Sequence, residues 1–430
     1  MTQQPQPTRQ DRDGDEQDDD DDDDGVVEDA DFLNSAEQVI DLDDDYVAQH
    51  AHELQEDEAN DMEMDDDDDD NNNNNNGESA VVQPTRDDAV GRFTLHNEQP
   101  VYAVALSPDG KLAVSGGGDD CAYLWDVENP AASVSLGAHK DSVVAVAFNY
   151  NGTLVATGGM DGVVRVLEVP TGALRLTLEG PSREVEFVHF HPSGDVLLAG
   201  SVDATAWLWD ATDGSVLAVM SAHQDVVSCG AFTGNGRRVL TGSLDGTLKI
   251  WEPTGAQVHS FGPSGPQWHD GGVVCLSQEA SGPSVATGGT DGTVCVSRLD
   301  TKKILSRFSH RQDDAGEVSV EAVAFCARLP MLVSAGTDAR AIVWDLHTGA
   351  LRVVLAHGAA VVAAAWMGDL VVTASADALV RVWDGRTGAN AKTLAGATDA
   401  ILDMAVSSNG AFVVTGGDDG VCRVWPVAAR

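Results

Sequence analysis

A segment near the end of the chain shows the hydrophobic pattern that dominates most of the sequence. ILDMAVSSNGAFVVTGGDDGVCRVW (401–425) contains three short apolar runs, separated by the turn signals SSNG and GGDDG. Short apolar runs bounded by Gly, Ser, Asn and Asp predict β-strands. A sheet that stopped after three strands would leave an unpaired outer edge, which promotes aggregation. We therefore expect a fourth strand to come from elsewhere in the chain.

The same pattern recurs upstream at a regular interval. An Asp followed six residues later by a Trp occurs six times, and two degenerate copies carry Leu167 and Ser297 in place of the Trp. Successive copies are 39 to 47 residues apart. This period, with VWD and LWD dipeptides after several of the Asp residues, resembles the WD repeat family, in which each repeat is one four-stranded blade. The eight Asp residues predicted to fix a structural turn are Asp119, Asp161, Asp203, Asp245, Asp291, Asp338, Asp377 and Asp419.

Eight repeats predict an all-β fold, an eight-bladed WD40 β-propeller over residues 91–430. The alternating run GRFTLH (91–96) precedes the first complete repeat. Because the repeat is offset from the blade in this family, we expect 91–96 to pair with 421–426 and so close the ring. Truncation at about residue 97 should open the ring, whereas deletion of 1–85 should leave folding intact.

Charge separates the N-terminal region from the repeats. Residues 1–90 contain 34 Asp and Glu against three Arg, and include runs of seven Asp, six Asp and six Asn. Such a segment buries too little apolar surface to offset its ordering entropy. We expect 1–90 to be a disordered acidic tail and linker. The remaining 340 residues carry a net charge of −14, so nucleic acid is not an expected direct partner.

The chain shows neither a secretory h-region at its N-terminus nor an apolar run long enough to span a membrane. Its six cysteines stand singly in predicted strands, which predicts buried, reduced thiols. These features favour a cytoplasmic or nuclear protein, monomeric and without a membrane partner.

Recurring His, Ser/Thr and Asp residues resemble catalytic triads, but a triad needs one such group in a cleft, and here four surround a ring. We interpret them as buried structural chains that link the Trp N–H, a hydroxyl, an imidazole and the turn Asp. The four sets are His96/Ser115/Asp119, His223/Thr241/Asp245, His310/Ser334/Asp338 and His357/Thr373/Asp377. The other repeats have lost a member, at Leu167, Ala199, Ser297 and Ala397.

Enzyme motifs are otherwise missing from the sequence. It contains no GxxxxGK[ST], HExxH or CxxC. The Gly-rich stretches SGGGDD and TGGMDG open no predicted helix, so we interpret their glycines as turn residues with positive φ rather than as phosphate loops. We expect no catalytic residue, no cofactor and no metal site.

Acidic residues recur where propellers bind partners, in the loops that enter the inner strands. Three more acids interrupt inner strands that are otherwise apolar, and a carboxylate there is costly unless it opens to solvent or pairs. They could be solvated loop acids, or they could form one acidic face that captures a basic peptide. The loop acids are Glu98, Asp141, Glu184, Asp225, Asp270, Glu317 and Asp399, and the strand acids are Glu186, Glu321 and Asp403.

Three stretches resemble the angio-associated migratory cell protein family more specifically than a generic WD repeat. They are HKDSVVAVAFNYNGTLVATG (139–158), VEFVHFHPSGDVLLAGSVDATAWLWD (185–210), and LVRVWDGRTG (379–388) with AILDMAV (400–406). The resemblance implies a dedicated chaperone, because fungal members hold the basic N-terminal segment of a large-subunit ribosomal protein. It also implies that Glu186 and Glu321 contact the client. Animal members are linked instead with cell migration and signalling.

Three other functions remain open. The stretch ending in Trp383-Asp384-x-Arg386 matches a motif by which WD proteins bind adaptors of cullin-RING ubiquitin ligases, where Arg386 would be the specific contact. A histone chaperone would also present acids to a basic client. A signalling scaffold would have no basic client.

Overall fold

The computed structural model describes residues 86–263, 265–280, 282–311 and 316–427. Nearly all of the tail predicted to be disordered, residues 1–85, lies outside the described residues. The described residues belong to one compact unit and form 32 strands. No helix among them is long and apolar enough to cross a membrane.

The strands form eight antiparallel four-stranded sheets, which confirms the eight-bladed propeller. Blades 1 to 4 consist of β2(Val101–Leu106), β3(Leu112–Gly117), β4(Cys121–Asp126), β5(Ser133–Ala138); β6(Val143–Phe148), β7(Leu154–Gly159), β8(Val164–Glu168), β9(Leu174–Leu178); β10(Val185–Phe190), β11(Val196–Ser201), β12(Ala206–Asp210), β13(Val216–Met220); and β14(Cys229–Phe232), β15(Val239–Gly242), β16(Leu248–Trp251), β17(Gln257–Phe261).

Blades 5 to 8 follow the same order, except that the first strand of the chain completes the last blade. They consist of β18(Val273–Gln278), β19(Ser284–Gly289), β20(Thr293–Arg298), β21(Lys303–Ser309); β22(Val320–Phe325), β23(Met331–Gly336), β24(Arg340–Asp345), β25(Ala350–Ala356); β26(Val361–Met367), β27(Leu370–Ser375), β28(Val380–Asp384), β29(Asn390–Leu394); and β30(Ile401–Val406), β31(Phe412–Gly417), β32(Cys422–Pro426) with β1(Gly91–Phe93).

The fourth strand of the last blade is β1, which pairs antiparallel with β32 through Gly91 opposite Val424 and Phe93 opposite Cys422. This strand is shorter than the predicted 91–96. The chain turns after Phe93 because His96 leaves the sheet edge and is fully buried against the first blade.

Residues just before β1 extend the closure onto blade 7. The Asp88 N–H donates to the Ala395 carbonyl at 2.8 Å, and the Ala395 N–H donates to Asp88 Oδ2 at 2.9 Å. Within the described residues, the contacts that close the ring therefore extend at least to Asp88, three positions before the strand itself.

The core lies in the seams between adjacent blades, and two glycines permit its close packing. A Cβ at Gly116 would lie 2.6 Å from the buried Val143 of the next blade, and one at Gly117 would lie 2.6 Å from His96 Nδ1. None of the three glycines in SGGGDD has a positive φ, nor do Gly158 and Gly159 in TGGMDG, so the expectation of turn glycines with positive φ is wrong for these five. Gly116 and Gly117 are needed because a neighbouring blade or loop contacts the backbone directly. In TGGMDG, Gly162 does adopt a φ of 75°.

All six cysteines are free, and burial raises the pKa of Cys229, Cys295 and Cys422 to about 12. These three therefore remain thiols at neutral pH. Cys326 lies just after β22 and not within a strand as expected.

Candidate protein-binding face

Two kinds of loop meet on one face of the ring, which we call the upper face. In each blade the loop that enters the innermost strand lies against the turn between the second and third strands. In blade 3 the Val202 N–H donates to the Glu184 carbonyl at 3.0 Å, and in blade 4 the Leu244 N–H donates to the Val226 carbonyl at 2.9 Å. Equivalent bonds occur in all eight blades. The acids predicted in the inner-strand entry loops therefore share this face with the turn Asp residues.

Most of the predicted loop acids are accessible on the upper face. Five are exposed, and two are partly exposed. The exposed ones are Glu98, Asp141, Asp225, Asp270 and Glu317, and the partly exposed ones are Glu184 and Asp399. Two of these acids pair with an arginine: Arg307 Nη2 lies 2.7 Å from Asp270 Oδ2, and Arg183 Nε lies 3.3 Å from Glu184 Oε2.

A β-bulge places Glu186 and Glu321 at the inner rim of this face. In blade 3 the register shifts between Val185 and Phe187, so Glu186 has no partner in the ladder; Glu321 occupies the same position in blade 6. A bulge re-aims the side chain of its extra residue. Glu186 is exposed and Glu321 partly exposed. Burial, and then the like charge of Glu184, raise the pKa of Glu186.

Asp403 does not share the position of these two acids. In blade 8 the bulged residue is Leu402, and Asp403 follows it as part of the ladder. Its carboxylate accepts hydrogen bonds from the N–H groups of Val104 and Met404, each at 2.7 Å. The scaffold therefore already uses both oxygens of Asp403. The sequence did not separate Asp403 from Glu186 and Glu321, because it does not show which strand residue the bulge displaces.

The predicted hydrogen-bonded chains are present in blades 1, 4 and 6. In blade 4 the Trp251 N–H donates to Thr241 Oγ1 at 2.8 Å, and Thr241 Oγ1 lies 2.7 Å from His223 Nε2. His223 Nδ1 lies 3.1 Å from Asp245 Oδ2. Burial lowers the pKa of His223, so the imidazole is neutral, donates from Nδ1 to Asp245 and accepts at Nε2. A buried, satisfied chain of this kind fixes the turn and offers no free nucleophile.

Blade 7 departs from this arrangement. His357 Nδ1 donates to the Leu355 carbonyl at 2.9 Å, and Asp377 instead accepts from the Gly358 N–H and pairs with Arg381. The predicted His357–Asp377 bond is therefore wrong. The arginine alone does not explain this, because Asp338 in blade 6 pairs with Arg340 and still bonds His310. His357 and Asp377 are only 20 positions apart, against 22 or more in the other chains.

Two repeats that lost their Trp keep the rest of the chain. In blade 2, His139 bonds Thr157 and Asp161 at 2.8 and 3.0 Å, although Leu167 stands at the Trp position. In blade 5, His269 bonds Thr287 at 2.8 Å and approaches Asp291 at 3.4 Å. The two other altered repeats keep their turn Asp as well: Asp203 accepts from the N–H of Ser182, and Asp419 from that of Thr398.

Arg386 lies in the turn after β28, away from the upper face. Its side chain is 52% exposed, and Nη2 lies 3.4 Å from Asp369 Oδ2. The guanidinium is thus accessible but held by a neighbouring carboxylate. A ligase-adaptor contact at Arg386 stays a prediction. No group of three or more His, Cys, Asp or Glu side chains among the described residues is arranged to hold a metal ion.

The fold and this face define a WD-repeat propeller. The model of the family described as WD domain, G-beta repeat matches seven segments, and the chain belongs to this family. The matched residues are 88–126, 132–167, 172–210, 214–252, 258–296, 350–384 and 388–426.

More specific relatives share part of the chain or the whole ring. Angio-associated migratory cell protein from Canis lupus familiaris and from Homo sapiens is 31% identical over 185 residues, which confirms the similarity predicted from the sequence. The match covers 40% of this chain and only 42% of each relative.

Solved structures of Sqt1 resemble the whole propeller. Saccharomyces cerevisiae Sqt1 aligns with a TM-score of 0.72 at 22% identity, over 80% of this chain and 100% of the other. Chaetomium thermophilum Sqt1, solved bound to the N-terminus of the ribosomal protein L10, aligns with a TM-score of 0.71 at 24% identity over the same shares. At these identities the likeness shows the fold.

Proposed function

We propose that this protein is a non-catalytic chaperone that holds a basic large-subunit ribosomal protein on its upper face, in the cytoplasm or nucleus. The observation that carries the proposal is the placement of Glu186 and Glu321 by β-bulges at the inner rim of an acidic face. Within the described residues, neither carboxylate has a hydrogen bond or an ion pair. Both are therefore available to a cationic side chain from a partner.

The electrostatics of Glu186 favour such a ligand. Burial and the neighbouring Glu184 raise the pKa of Glu186, which means that the ionised form lacks a compensating positive charge. An arginine or lysine from the client would supply that charge and restore the ordinary pKa. Arginine fits best because its planar fork pairs two carboxylate oxygens at once. A free ribosomal protein is strongly cationic, and carboxylates around it would shield it from RNA.

The relatives support the same class of client. Chaetomium thermophilum Sqt1, which shares the propeller, was solved with the N-terminus of ribosomal protein L10 bound. We infer that this chain takes a client of that kind, and that the loop acids around Glu186 and Glu321 widen the contact and speed the encounter by long-range attraction.

A binding experiment with a matched control tests the proposal. The full chain, the double variant Glu186→Lys/Glu321→Lys and the control Glu128→Lys/Glu168→Lys would be titrated with a synthetic peptide of the L10 N-terminus by calorimetry. Glu128 and Glu168 are exposed at the ends of β4 and β8, away from the upper face. The control therefore changes net charge equally without touching the proposed site.

The expected result is binding by the wild type and the control, and its loss in the Glu186/Glu321 variant. Equal binding by all three proteins would mean that the charge of the chain, and not this face, attracts basic peptides. Competition with a histone tail separates the clients, because a histone chaperone would prefer the tail and a ribosomal-protein chaperone the L10 segment.

A further inference from the structure

One position on the upper face carries a large apolar residue in three successive blades. It is the residue just before the turn Asp, and it is Met160 in blade 2, Val202 in blade 3 and Leu244 in blade 4. In the other five blades the residue is Gly118, Thr290, Thr337, Ala376 or Asp418. Single exposed apolar residues are common on protein surfaces, but these three occupy equivalent positions in adjacent blades.

These apolar side chains are accessible. Met160 is 40% exposed and Leu244 is 38% exposed, while Val202 is partly exposed. Tyr102, the bulged inner-strand residue of blade 1, is likewise 37% exposed. We call Met160, Val202 and Leu244 the apolar arc.

Each member of the apolar arc lies beside a predicted acid. The Val202 N–H donates directly to the carbonyl of Glu184, and the Met160 N–H donates to that of Ser142, the residue after Asp141. The backbone thus places one apolar residue next to an acidic entry loop in each of blades 2 to 4. A surface of this kind complements a segment in which apolar and cationic side chains alternate.

The turn Asp residues of the two halves of the ring also differ. In blades 5 to 8 an arginine lies within 3.3 Å of each turn Asp, and the pairs are Arg307–Asp291, Arg340–Asp338, Arg381–Asp377 and Arg423–Asp419. Within the described residues no lysine or arginine pairs with the turn Asp of blades 1 to 4. Beside the apolar arc, Arg183 Nε lies 3.3 Å from Glu184 Oε2, whereas Asp141, Asp225 and Glu186 have no ion pair within the described residues. The negative charge of these three acids is therefore not compensated by a cation of the protein itself.

We propose that blades 2 to 4 hold an extended client segment in which arginines or lysines alternate with large apolar residues. The cations meet Asp141 and Glu186, and the apolar side chains lie on the apolar arc. This inference rests on the proposed function and specifies its client, since charge alone would not suffice for full affinity.

Two short synthetic peptides of equal length and equal arginine content provide the test. One places leucine between the arginines, and the other places serine there. The full-length chain would be compared with Met160→Ser/Leu244→Ser and with the control Leu305→Ser/Leu351→Ser, whose targets are 53% and 50% exposed on the outer strands β21 and β25.

We expect the wild type and the control to bind the leucine peptide about tenfold more tightly than the serine peptide, as burial of two large apolar side chains would give. The Met160/Leu244 variant should lose that preference and bind both peptides like the serine peptide. Equal binding of both peptides by the wild type, or an unchanged preference in the variant, would overturn the inference. Failure of the proposed function would give a different result from failure of this inference. In that case the variant Glu186→Lys/Glu321→Lys would bind both peptides as tightly as the wild type does.

Discussion

The carboxylate of Asp403 in the last blade accepts a hydrogen bond at 2.7 Å from the backbone N–H of Val104 in the first blade. The two residues are 299 positions apart and lie on the adjacent innermost strands β30 and β2. The bond therefore crosses the seam where the first and last parts of the propeller meet, on the inner side of the ring. The β1–β32 pairing closes the same seam region on the outer side.

Removal of this bond should weaken the ring. Asp403→Leu deprives the Val104 N–H of its acceptor, and we expect the free energy of unfolding to fall by about 1–3 kcal/mol. Asp403→Asn keeps a side-chain oxygen at the same place and should lose less. Urea denaturation of the two variants measures the difference, and equal stabilities would show that the bond is unimportant.

The same residue should leave a signature in the pH dependence of stability. Burial raises the pKa of Asp403 from its ordinary value of 3.8 to about 6. The folded state therefore takes up the proton before the unfolded chain does, and Asp403 favours folding more as the pH falls from about 6 towards 4. Relative to Asp403→Asn at each pH, the wild type should lose about 1–3 kcal/mol of stability as the pH rises through that window. A constant difference between the two proteins would contradict the raised pKa.

The sequence alone predicts the number of blades and the closing strand, because one Asp per repeat marks a turn that every blade needs. It also places the acids of the upper face, since they occupy equivalent loop positions. It does not distinguish Asp403 from Glu186 and Glu321, because all three interrupt apolar strands and only the position of the bulge separates them. The apolar arc was missed for a different reason. The sequence shows that Met160 and Leu244 precede the turn Asp, but only the structure shows that their side chains are exposed.

The closing strand should be essential although it is short. Phe93 is 2% exposed and stacks on Trp125, with ring centroids 5.2 Å apart and an interplanar angle of 5°. Phe93→Ala should lower the free energy of unfolding by about 3–5 kcal/mol.

Deletion of residues 1–85 should leave the melting temperature nearly unchanged, whereas deletion of 1–97 should open the ring and lower it sharply. Similar melting temperatures for the two deletions would show that β1 does not close the ring in solution.

His357 should make the protein sensitive to mild acid. Burial, and then the charge of Arg381, lower the pKa of His357 from 6.5 to about 4. The unfolded chain therefore binds the proton first, so stability is lost as the pH falls from about 6.5 to 4. His357→Gln cannot take up that proton, and over this range the wild type should lose about 2–3 kcal/mol relative to it. Chemical denaturation at several pH values measures this loss, and parallel pH profiles would exclude His357 as its source.

Two imperfect repeats offer a paired test of how the buried chains stabilise the blades. In blade 3, Ala199 stands where other blades have Ser or Thr, and within the described part of the chain no group accepts the N–H of the buried Trp209. In blade 5, Ser297 stands at the Trp position, and its buried hydroxyl likewise has no partner. An unsatisfied buried polar group costs about 1–3 kcal/mol, and a net hydrogen bond gains about 1 kcal/mol.

Ala199→Ser should therefore stabilise the protein by about 1 kcal/mol, because the new hydroxyl can accept from Trp209 Nε1. Its own proton can reach the carbonyl of Trp207, the ladder partner of residue 199, as Thr287 Oγ1 does towards the Cys295 carbonyl in blade 5. Ser297→Ala should be neutral or slightly stabilising, since it removes a hydroxyl that bonds nothing in the described structure. Ser334→Ala in the intact chain of blade 6 should be clearly destabilising, because it deprives both His310 and Trp344 of their partner. Thermal unfolding of the three variants ranks them, and a destabilised Ala199→Ser would mean that blade 3 has repacked around its alanine.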